Sequence, residues 1–439
     1  MSDIEGLISG SPYGGYSYSY PHKTAYRPLG RPVSLGSLWA AERPSALSLY
    51  IHVPFCGMRC GFCNLFTKAK PNARLIADYL DALDRQSRKV RDALPGVSFA
   101  RFAIGGGTPT YLDANGLAKL LEIAERTMGA DLQHIGGSVE VAPGTVDREK
   151  LALLREGGID RISIGVESFD EAETAAVFRP QDAESVEHAL DLIRSAGFPT
   201  LNLDLIYGLP GQTVASWLGS VRKALRHDPE ELFLYPLYVR PLTGLGKSGR
   251  EWDDLRLTCY REARSLLLGS GYSQVSMRMF RAPHAPETAG PAYCCQEDGM
   301  VGLGCGARSY TRGLHYASEY AVGSRGVGEI LADFVARPTA AHGVADFGFH
   351  LDVAEQRRRY VIQSLLTRDG LAFAPYSLRF GAEAMDHHPA LADLERLDLA
   401  SRGPNGLVLT ESGLERSDSI GPWLYSPDVR ARMADYAWR

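Results

Sequence analysis

The chain has 439 residues with a formal net charge of −5, and 45% of these residues are hydrophobic. That length suits one large domain with a smaller second one, and that composition suits a sizeable core. The mild charge and the lack of a long basic block predict no nucleic-acid partner. No apolar run is long enough to span a membrane, and no signal-peptide pattern opens the chain. We therefore expect a cytoplasmic protein, and we expect a monomer.

Residues 1–45 have the composition of a turn-rich arm. Four tyrosines stand among Gly, Ser and Pro between Ser11 and Tyr20. Such arms commonly bury ring area while the hydroxyls stay wet, which favours a strap packed on the main domain. The alternative is a flap over the mouth of an active site.

From Leu47 onward, short apolar runs alternate with amphipathic helical stretches. Buried strands that alternate with helices predict a parallel sheet. Six such units suit an α/β fold, a partial (β/α)6 TIM-like barrel with its chemistry at the carboxyl ends of the strands. The predicted strands are 47–53, 99–104, 138–141, 161–166, 201–206 and 232–238, and the predicted helices include 74–90 and 183–195.

The last hundred residues have a different pattern. A helix predicted over 353–366 is followed by a turn-rich hairpin near 406–413. This pattern resembles a winged-helix-like cap, which we place at 345–439, after a barrel and its extension at 46–330. The arginine triplet at 357–359 is typical of a solvated helix face, so DNA binding is not expected.

Cys56, Cys60 and Cys63 form the pattern Cys-x3-Cys-x2-Cys directly after the first predicted strand. Three thiolates are one short of the four that hold an ordinary iron–sulfur cluster. A [4Fe–4S] cluster held this way keeps one iron open to an outside ligand, which indicates catalysis. The alternative is zinc, but a structural zinc site usually takes four ligands, and no second cysteine pair follows nearby.

Four further cysteines, Cys259, Cys294, Cys295 and Cys305, bring the total to seven. A disulfide framework is not expected at this length. An oxygen-sensitive cluster fits a reducing compartment, in agreement with the cytoplasmic expectation.

Other candidate residues fall at the ends of four further predicted strands. A glycine run follows the second strand, where the absence of Cβ atoms lets the backbone approach a ligand closely. Since parallel strands end at one face, we expect all of these positions to converge. They are Gly105, Gly106, Gly107 and Thr108 after the second strand, Glu140 and Glu167 at the third and fourth, and Asp204 late in the fifth.

The cysteine run and the segment from Gly105 to Thr110 resemble the radical S-adenosylmethionine (SAM) superfamily. Within it, the chain resembles the oxygen-independent coproporphyrinogen III dehydrogenase-like group, whose relatives include two-SAM methyltransferases and cyclopropanases. The similarity runs from about residue 47 to the C-terminus. It implies a [4Fe–4S] cluster, SAM cleaved to a 5′-deoxyadenosyl radical, an external reductant such as flavodoxin or ferredoxin, and a small-molecule substrate.

The resemblance also implies roles for single residues. Glu140 matches a contact to the methionine part of SAM, and Glu167 stands where relatives often carry a Gln that binds the ribose. Arg179 matches an arginine that pairs with the SAM carboxylate, a geometry that suits a guanidinium fork. Asp204 matches another polar SAM-site residue, and Phe62 matches an aromatic beside the adenine. The alternatives are ion pairs at the barrel rim and, for Phe62, local packing.

A second SAM molecule is expected by the same resemblance, near Ile206, Tyr207 and Gly208. Cys294 and Cys295 precede a segment that returns to the barrel mouth in relatives, where a thiol could donate a hydrogen atom or a proton. The alternative is that they pack as small hydrophobic residues. Cys305 is expected to be structural.

The sequence leaves three functions open. The favoured one is methyl or methylene transfer, or cyclopropanation, on an unsaturated small molecule. The second is oxidative decarboxylation of a porphyrinogen, and the third is a haem-binding chaperone with little turnover. The porphyrinogen enzymes typically carry a further cysteine after the cluster motif, whereas Asn64 follows here. The methyl-transfer hypothesis is favoured mainly by elimination.

Overall fold

The computed structural model describes residues 6–16, 19–42, 46–287 and 299–439. Its strands are β1 (Arg27–Ser34), β2 (Leu47–Val53), β3 (Phe55–Cys56), β4 (Lys68–Ala69), β5 (Phe99–Gly106), β6 (Ser138–Val141), β7 (Arg161–Glu167), β8 (Thr200–Tyr207), β9 (Glu231–Pro236), β10 (Ser273–Gln274), β11 (Met279–Arg281), β12 (Met300–Leu303), β13 (Arg308–Tyr310), β14 (Leu314–Ala317), β15 (Val344–His350), β16 (Leu371–Ala372), β17 (Ala400–Arg402) and β18 (Gly406–Leu409).

The helices in these ranges are α1 (Gly6–Ser9), α2 (Leu35–Ala40), α3 (Ala73–Asp92), α4 (Ala114–Glu122), α5 (Leu132–Ile135), α6 (Arg148–Glu156), α7 (Glu171–Ala176), α8 (Ala183–Ser195), α9 (Val214–Leu225), α10 (Gly244–Ser248), α11 (Arg256–Gly269), α12 (Ser324–Ala336), α13 (Val353–Leu365), α14 (Phe373–Phe380), α15 (Ala384–His387), α16 (Leu391–Arg396), α17 (Glu411–Leu414), α18 (Ser417–Trp423) and α19 (Pro427–Ala434). Short 3₁₀ segments lie at Lys23–Ala25, Pro109–Tyr111, Pro143–Thr145 and Thr339–Gly343, and a π-helical turn lies at Ile123–Thr127.

A 13-stranded sheet forms the main body, in the order β1-β15-β14-β13-β12-β2-β5-β6-β7-β8-β9-β11-β10. The six predicted strands are β2, β5, β6, β7, β8 and β9, which are neighbours in that order and parallel throughout. The predicted α/β fold with a parallel central sheet is confirmed. Its extensions at both edges, which are antiparallel apart from the parallel pairing of β12 with β2, were not predicted, because most of those strands are too short to show a periodic pattern.

Side chains alternate along each central strand between the face that packs on the helices and the face on the inside of the curved sheet. In β7, Ile162, Ile164 and Val166 are fully buried toward the helices. The residues between them, Arg161, Ser163, Gly165 and Glu167, line a central cavity. Successive side chains of a strand point to opposite faces, so a strand with one polar face directs that face into the cavity.

Two helices show how local sequence sets the boundaries of these units. α3 begins after Asn72, whose side chain accepts a hydrogen bond from the Leu75 amide at 2.8 Å. α8 begins after Asp182, which accepts from the Ser185 amide at 2.7 Å. Asn and Asp are favoured at this position because they satisfy an amide that the helix leaves open. Both helices agree with the predicted ranges within two residues.

The C-terminal part has its own apolar core, which includes Ile362, Leu394 and Leu407. A three-stranded sheet in the order β16-β18-β17 packs with α13 and the helices that follow. β15 pairs with β1 and β14 of the large sheet, so the cap boundary expected at residue 345 falls inside a strand of the main body. Likewise, β1 brings part of the expected N-terminal arm into that sheet. Among the described residues, no helix is long and apolar enough to cross a membrane.

Candidate functional site

A cavity of about 720 Å³ opens at the carboxyl ends of the central strands. One wall, here called the strand-end wall, consists of the ends of β5 to β8 and of the segment after β2 that carries Cys56, Cys60 and Cys63, here called the cysteine loop. The other, here called the closing wall, combines the N-terminal arm, the segment after β9, the segment around β11 and the C-terminal part. Residues of the closing wall include Tyr16, Lys23, Tyr238, Arg278, Thr367 and Asp418.

The three cysteines of the motif are all free thiols and partly buried. Thr108 donates a hydrogen bond to Cys56 Sγ at 3.7 Å, and Arg179 donates one to Cys60 Sγ at 3.3 Å. Burial raises the pKa of Cys56 to about 12 and also raises the pKa of Cys60. A bound metal centre would displace these protons, because thiolates are the metal ligands.

No group of three His, Cys, Asp or Glu side chains within the described ranges is placed to hold a single metal ion. A cluster differs from a single ion, because each of its cysteines binds a different iron atom and the thiols stand further apart. Three thiols on one short loop, beside an arginine that already donates to one of them, fit such a cluster.

The glycine run is packed so closely that side chains would not fit. A Cβ on Gly107 would lie 2.5 Å from the Phe55 carbonyl oxygen and 2.9 Å from Cys56 Sγ. A Cβ on Gly105 would lie 2.9 Å from the Glu140 carboxyl carbon. The Gly107 amide donates to the Val53 carbonyl at 2.8 Å, which fixes the run against the start of the cysteine loop. The glycine run therefore packs directly against both the cysteine loop and Glu140.

His52 is a site residue that the sequence analysis did not identify. Its ring lies under the glycine run, where a Cβ on Gly106 would approach it to 2.5 Å. Its Nε2 is 3.1 Å from the Phe66 carbonyl oxygen, and its Nδ1 is 3.2 Å from the Tyr50 hydroxyl. Burial lowers the pKa of His52 to about 4, so the ring is neutral at pH 7. The only feature of the sequence that could have identified His52 is its place on a buried strand shortly before the cysteine loop.

Glu140 faces the cavity and accepts a hydrogen bond from the Gly106 amide at 2.9 Å. The Glu140 side chain is exposed to the cavity, and the protein around the cavity desolvates its carboxyl group. Burial raises the pKa of Glu140 to about 7, while the Gly106 amide acts in the opposite direction. A cationic partner would lower the pKa of this carboxyl group, because a positive charge favours its ionised form.

Glu167 and Arg179 form an ion pair of 3.6 Å beside the cysteine loop. Arg179 also donates to the Gly165 carbonyl at 2.6 Å, while its Nε is buried without a hydrogen-bond partner. Burial acts to lower the pKa of Arg179, but Glu167 and Cys60 raise it overall, so the guanidinium stays charged. Glu167 has a left-handed backbone (φ 64°), an uncommon state for a residue with a side chain.

Asp204 belongs to a polar network deeper in the cavity. Ser163 donates to Asp204 at 3.0 Å, and the Asn202 amide donates to it at 2.8 Å. Burial raises the pKa of Asp204 to about 6, and the Asn202 hydrogen bond opposes this shift. The Oδ1 atom of Asn202 is buried without a partner. This network was not predicted beyond Asp204 itself.

The remaining predicted residues divide between the cavity and the core. Phe62 and Ile206 line the cavity and pack in one small apolar cluster. Tyr207 and Gly208 do not line it: alternation along β8 turns Tyr207 toward Trp217, 5.7 Å away between ring centroids, and Gly208 (φ 80°) makes the turn that follows. The sequence analysis expected Tyr207 and Gly208 beside a second SAM molecule, whereas neither residue lines the cavity.

Two predicted residues, Cys294 and Cys295, lie outside the described residues. Cys305 is fully buried, and its thiol is 3.8 Å from the Ile330 carbonyl oxygen. Burial raises the pKa of Cys305 to about 12, which makes it unreactive as a thiolate.

The closing wall contains a buried charge cluster that sequence reasoning missed. Arg278 and Tyr238 both donate hydrogen bonds to the Asp418 carboxylate. The ring of Tyr16 lies 3.9 Å from the Arg278 guanidinium carbon. These residues are far apart in the sequence, so only the folded chain brings them together.

An α/β fold with a three-thiol loop at the end of its first parallel strand defines an enzyme class organised around a metal cluster. A family model described as the radical SAM superfamily matches residues 50–224. An oxygen-independent coproporphyrinogen III oxidase of Paracoccus denitrificans is 32% identical over 276 residues, 60% of each chain. The heme chaperone HemW of Escherichia coli is 30% identical over 272 residues, which are 60% of this chain and 69% of the chaperone.

The solved structure of coproporphyrinogen III oxidase (HemN) from Escherichia coli superimposes with a TM-score of 0.79 and 24% identity, over 95% of this chain and 98% of that one. The fold is therefore shared over nearly the whole length, although the sequence match spans only 60% of the Paracoccus oxidase. The chain belongs to the radical SAM superfamily, in the group that contains coproporphyrinogen III oxidases and the HemW chaperones. Membership implies a [4Fe–4S] cluster and SAM as cofactors.

Proposed function

We propose that this radical SAM enzyme transfers a methyl or methylene carbon from a second SAM molecule to an unsaturated small molecule, as methylation or cyclopropanation. The charge of the cavity lining carries this proposal. Glu140, Glu167 and Asp204 are three cavity carboxyl groups whose pKa values burial raises. Carboxylates accept hydrogen bonds from the ammonium and the ribose hydroxyls of SAM, and they attract its sulfonium charge.

Two of the five arginines that line the cavity give further support. Arg161 pairs with Glu231 at 2.7 Å, and Arg278 pairs with Asp418. These two cations are already engaged with the protein's own carboxylates. A porphyrinogen with several propionate groups would have to compete for them, since each buried charge needs a partner.

The strand-end wall would hold the cofactors. Cys56, Cys60 and Cys63 would ligate the cluster, and the backbone of Gly105 to Gly107 would approach SAM without a Cβ clash. When bound, the cluster and SAM together supply a one-electron reductive cleavage that yields a carbon radical. Glu140 would bind the SAM ammonium, and Arg179 the SAM carboxylate through its fork of donors.

Other residues of the cavity would orient the ligands. Glu167 would accept from ribose hydroxyls, Asp204 would contribute the second polar contact, and Phe62 would pack beside the adenine. Ile206 pairs with Tyr235 of the neighbouring strand, and both line the cavity. We place the second SAM against these two side chains, because they offer an apolar surface next to Asp204. The small-molecule substrate would enter between the two walls.

Decarboxylation of a porphyrinogen is a second candidate, favoured by the similarity to the Paracoccus denitrificans oxidase. Asn64 stands where those enzymes typically carry a further cysteine. Its carbonyl accepts hydrogen bonds from Lys23 at 3.3 Å and from the Tyr320 hydroxyl. Lys23 of the N-terminal arm thus contacts the cysteine loop at this position, through a backbone carbonyl that any residue would supply. A haem chaperone is the third candidate, favoured by the similarity to HemW.

One labelling experiment separates the three. The protein is reconstituted anaerobically, reduced, and incubated with SAM that carries a deuterated methyl group, with Cys60→Ala as control. Deuterium in the 5′-deoxyadenosine, measured by mass spectrometry, is the expected result and indicates hydrogen abstraction from a SAM methyl group. Unlabelled 5′-deoxyadenosine with CO₂ released from coproporphyrinogen III would establish decarboxylation instead. Haem binding without 5′-deoxyadenosine would establish the chaperone.

A further inference from the structure

The end of β7 makes a strained turn at Glu167. The Ser168 amide donates to the Val166 carbonyl at 2.8 Å, which closes a three-residue γ-turn, and Glu167 at its centre has a φ of 64°. A γ-turn with positive φ is rare and strained. Such strain persists only where the surrounding structure holds it, and it is concentrated at functional sites.

The register of the sheet shifts at the same point. Gly165 pairs with Asp204, whereas Glu167 pairs with Leu205, so β7 carries one extra residue there. Leu205 is fully buried and does not line the cavity, although Glu167 does. Residues paired in a regular ladder face the same side of the sheet, and a bulge changes the direction of a side chain. The extra residue and the turn therefore direct the Glu167 carboxylate into the cavity.

The side chain of Gln181 bridges the two ends of this turn. Its Nε2 donates to the Val166 carbonyl at 2.6 Å and to the Ser168 carbonyl at 3.2 Å. These carbonyls belong to the residues on either side of Glu167, so one amide group fixes both. Gln181 is half-buried and does not line the cavity. Any effect of Gln181 on a ligand in the cavity would therefore pass through Glu167.

A buried carboxylate anchors the turn from the side away from the cavity. The Ser168 hydroxyl donates to Glu173 at 2.6 Å, and Glu173 is only 4% exposed. Glu173 also accepts from Gln212 Nε2 at 2.8 Å and from the Ser216 hydroxyl at 2.6 Å. Gln212 in turn accepts from the Gly208 amide at 2.6 Å, so the same anchor fixes the turn after β8. A buried polar network that is satisfied in this way makes the structure around it rigid.

We propose that Gln181 is a positioning residue for SAM binding, because it holds the turn that directs the Glu167 carboxylate to the ribose hydroxyls. Ser168 and Glu173 anchor the turn that Gln181 bridges. Without the Gln181 amide, Glu167 would relax toward an ordinary extended backbone, and its carboxylate would turn away from the cavity. The inference rests on the proposed function only in the contact between Glu167 and SAM.

Gln181→Met tests the proposal, because methionine keeps the length of the side chain but has no donor. The matched control is Gln356→Met, at another half-buried glutamine that donates to a backbone carbonyl, that of Leu351 at 3.1 Å, outside the cavity. Equilibrium dialysis of the reconstituted proteins with labelled SAM measures the affinity. Gln181→Met is expected to bind SAM about tenfold more weakly than the control, since it loses two hydrogen bonds. Iron content should be equal in the two variants.

A double-mutant cycle separates positioning from a general loss of structure. Gln181→Met is combined with Glu167→Ala, which removes the carboxylate itself. If Gln181 acts through Glu167, its tenfold effect should shrink to less than about twofold when Glu167 is already alanine. An equal loss of affinity in both backgrounds would show a merely structural role and overturn the proposal.

The single variants distinguish two ways of failing. A loss of affinity in Glu167→Ala without one in Gln181→Met would overturn the positioning role alone. Unchanged SAM affinity in Glu167→Ala would overturn both the positioning role and the proposed SAM contact of Glu167. None of these measurements includes the substrate, so a failure of methyl transfer would leave them unchanged.

Two further variants examine the turn itself. A crystal structure of cluster-free Gln181→Met is expected to show Glu167 with a negative φ and without its ion pair to Arg179, and an unchanged turn would overturn the proposal. Ser168→Ala removes the link to Glu173 and leaves that carboxylate its other two donors. It is expected to weaken SAM binding severalfold, and unchanged affinity would overturn the anchoring role of Glu173.

Discussion

The two walls of the cavity are built in different ways. The strand-end wall takes its residues from the ends of successive parallel strands, held in register by the sheet, as in the pairing of Gly165 with Asp204. The closing wall depends on contacts between distant parts of the chain, such as that of Arg278 with Asp418, 140 residues apart. Changes in the first wall should therefore affect cofactors, and changes in the second should affect stability.

The largest effect is expected for Cys60→Ala. Loss of one thiolate of three should abolish the cluster, its absorbance and the release of 5′-deoxyadenosine. Iron and sulfide analysis after anaerobic reconstitution measures this directly. Cys259→Ala is the matched control, because Cys259 is buried in the core away from the cavity. A Cys60→Ala protein with full iron content would show that the strand-end wall does not hold a cluster.

Asp418→Asn tests the opposite wall. Asp418 is only 1% exposed and balances the charge of Arg278, so its loss leaves a buried guanidinium uncompensated. Breaking such a pair typically costs about 3–5 kcal/mol. We expect a clearly lower thermal unfolding temperature in the cluster-free protein, while the iron content after reconstitution stays near that of the wild type.

The control for this change is Glu329→Gln, at an exposed helical ion pair with Arg325. Such pairs contribute about 0–1 kcal/mol, so little change is expected. If Asp418→Asn were no less stable than this control, the closing wall would not depend on its buried charge cluster.

The same contrast explains what the sequence could predict. The cysteine motif, the glycine run and the strand ends at Glu140, Glu167 and Asp204 are local patterns, and parallel strands bring such positions to one edge. The central strands and α8 were predicted with nearly their observed bounds because their periodicity is strong. Tyr207 was misplaced for a simple reason: the strand alternation that points Asp204 and Ile206 into the cavity points Tyr207 out of it.

The closing wall could not be predicted in this way. Tyr16, Tyr238, Arg278 and Asp418 follow no motif or common spacing, and their meeting depends on how the arm and the C-terminal part pack on the sheet. The role of His52 could not be predicted either, because nothing in a strand sequence shows that its histidine will pack against a glycine run elsewhere in the chain. Long-range packing is decided by the whole fold, beyond what one segment specifies.

Arg179→Ala should sharpen the comparison within the strand-end wall. Removal of its charged hydrogen bonds is expected to weaken SAM binding by about tenfold to a hundredfold, since such bonds are each worth about 1.5–3 kcal/mol. Equilibrium dialysis of the reconstituted protein with labelled SAM measures the affinity, and iron analysis checks that the cluster remains.

Arg179→Lys should recover only part of the affinity, because a lysine lacks the guanidinium fork. Arg226→Ala, at an exposed arginine, is the neutral control. Unchanged SAM affinity in Arg179→Ala would assign the arginine to the Glu167 ion pair alone.

The smallest effect is expected for Glu140→Gln and appears as a change of pH dependence. Burial raises the pKa of Glu140 to about 7, so the wild-type carboxyl group is largely protonated at pH 6 and ionised at pH 8. If it binds the SAM ammonium, affinity should rise severalfold as the pH passes upward through about 7. The rise ends near pH 8, where the α-amino group of SAM loses its own proton. Glu140→Gln removes the titrating group while keeping an acceptor for the Gly106 amide, so its SAM affinity should be nearly constant between pH 6 and 7.5.

An equal pH dependence in variant and wild type would mean that another group, such as Asp204 with a pKa of about 6, controls SAM binding. The cofactor contact would then lie deeper in the cavity than the glycine run.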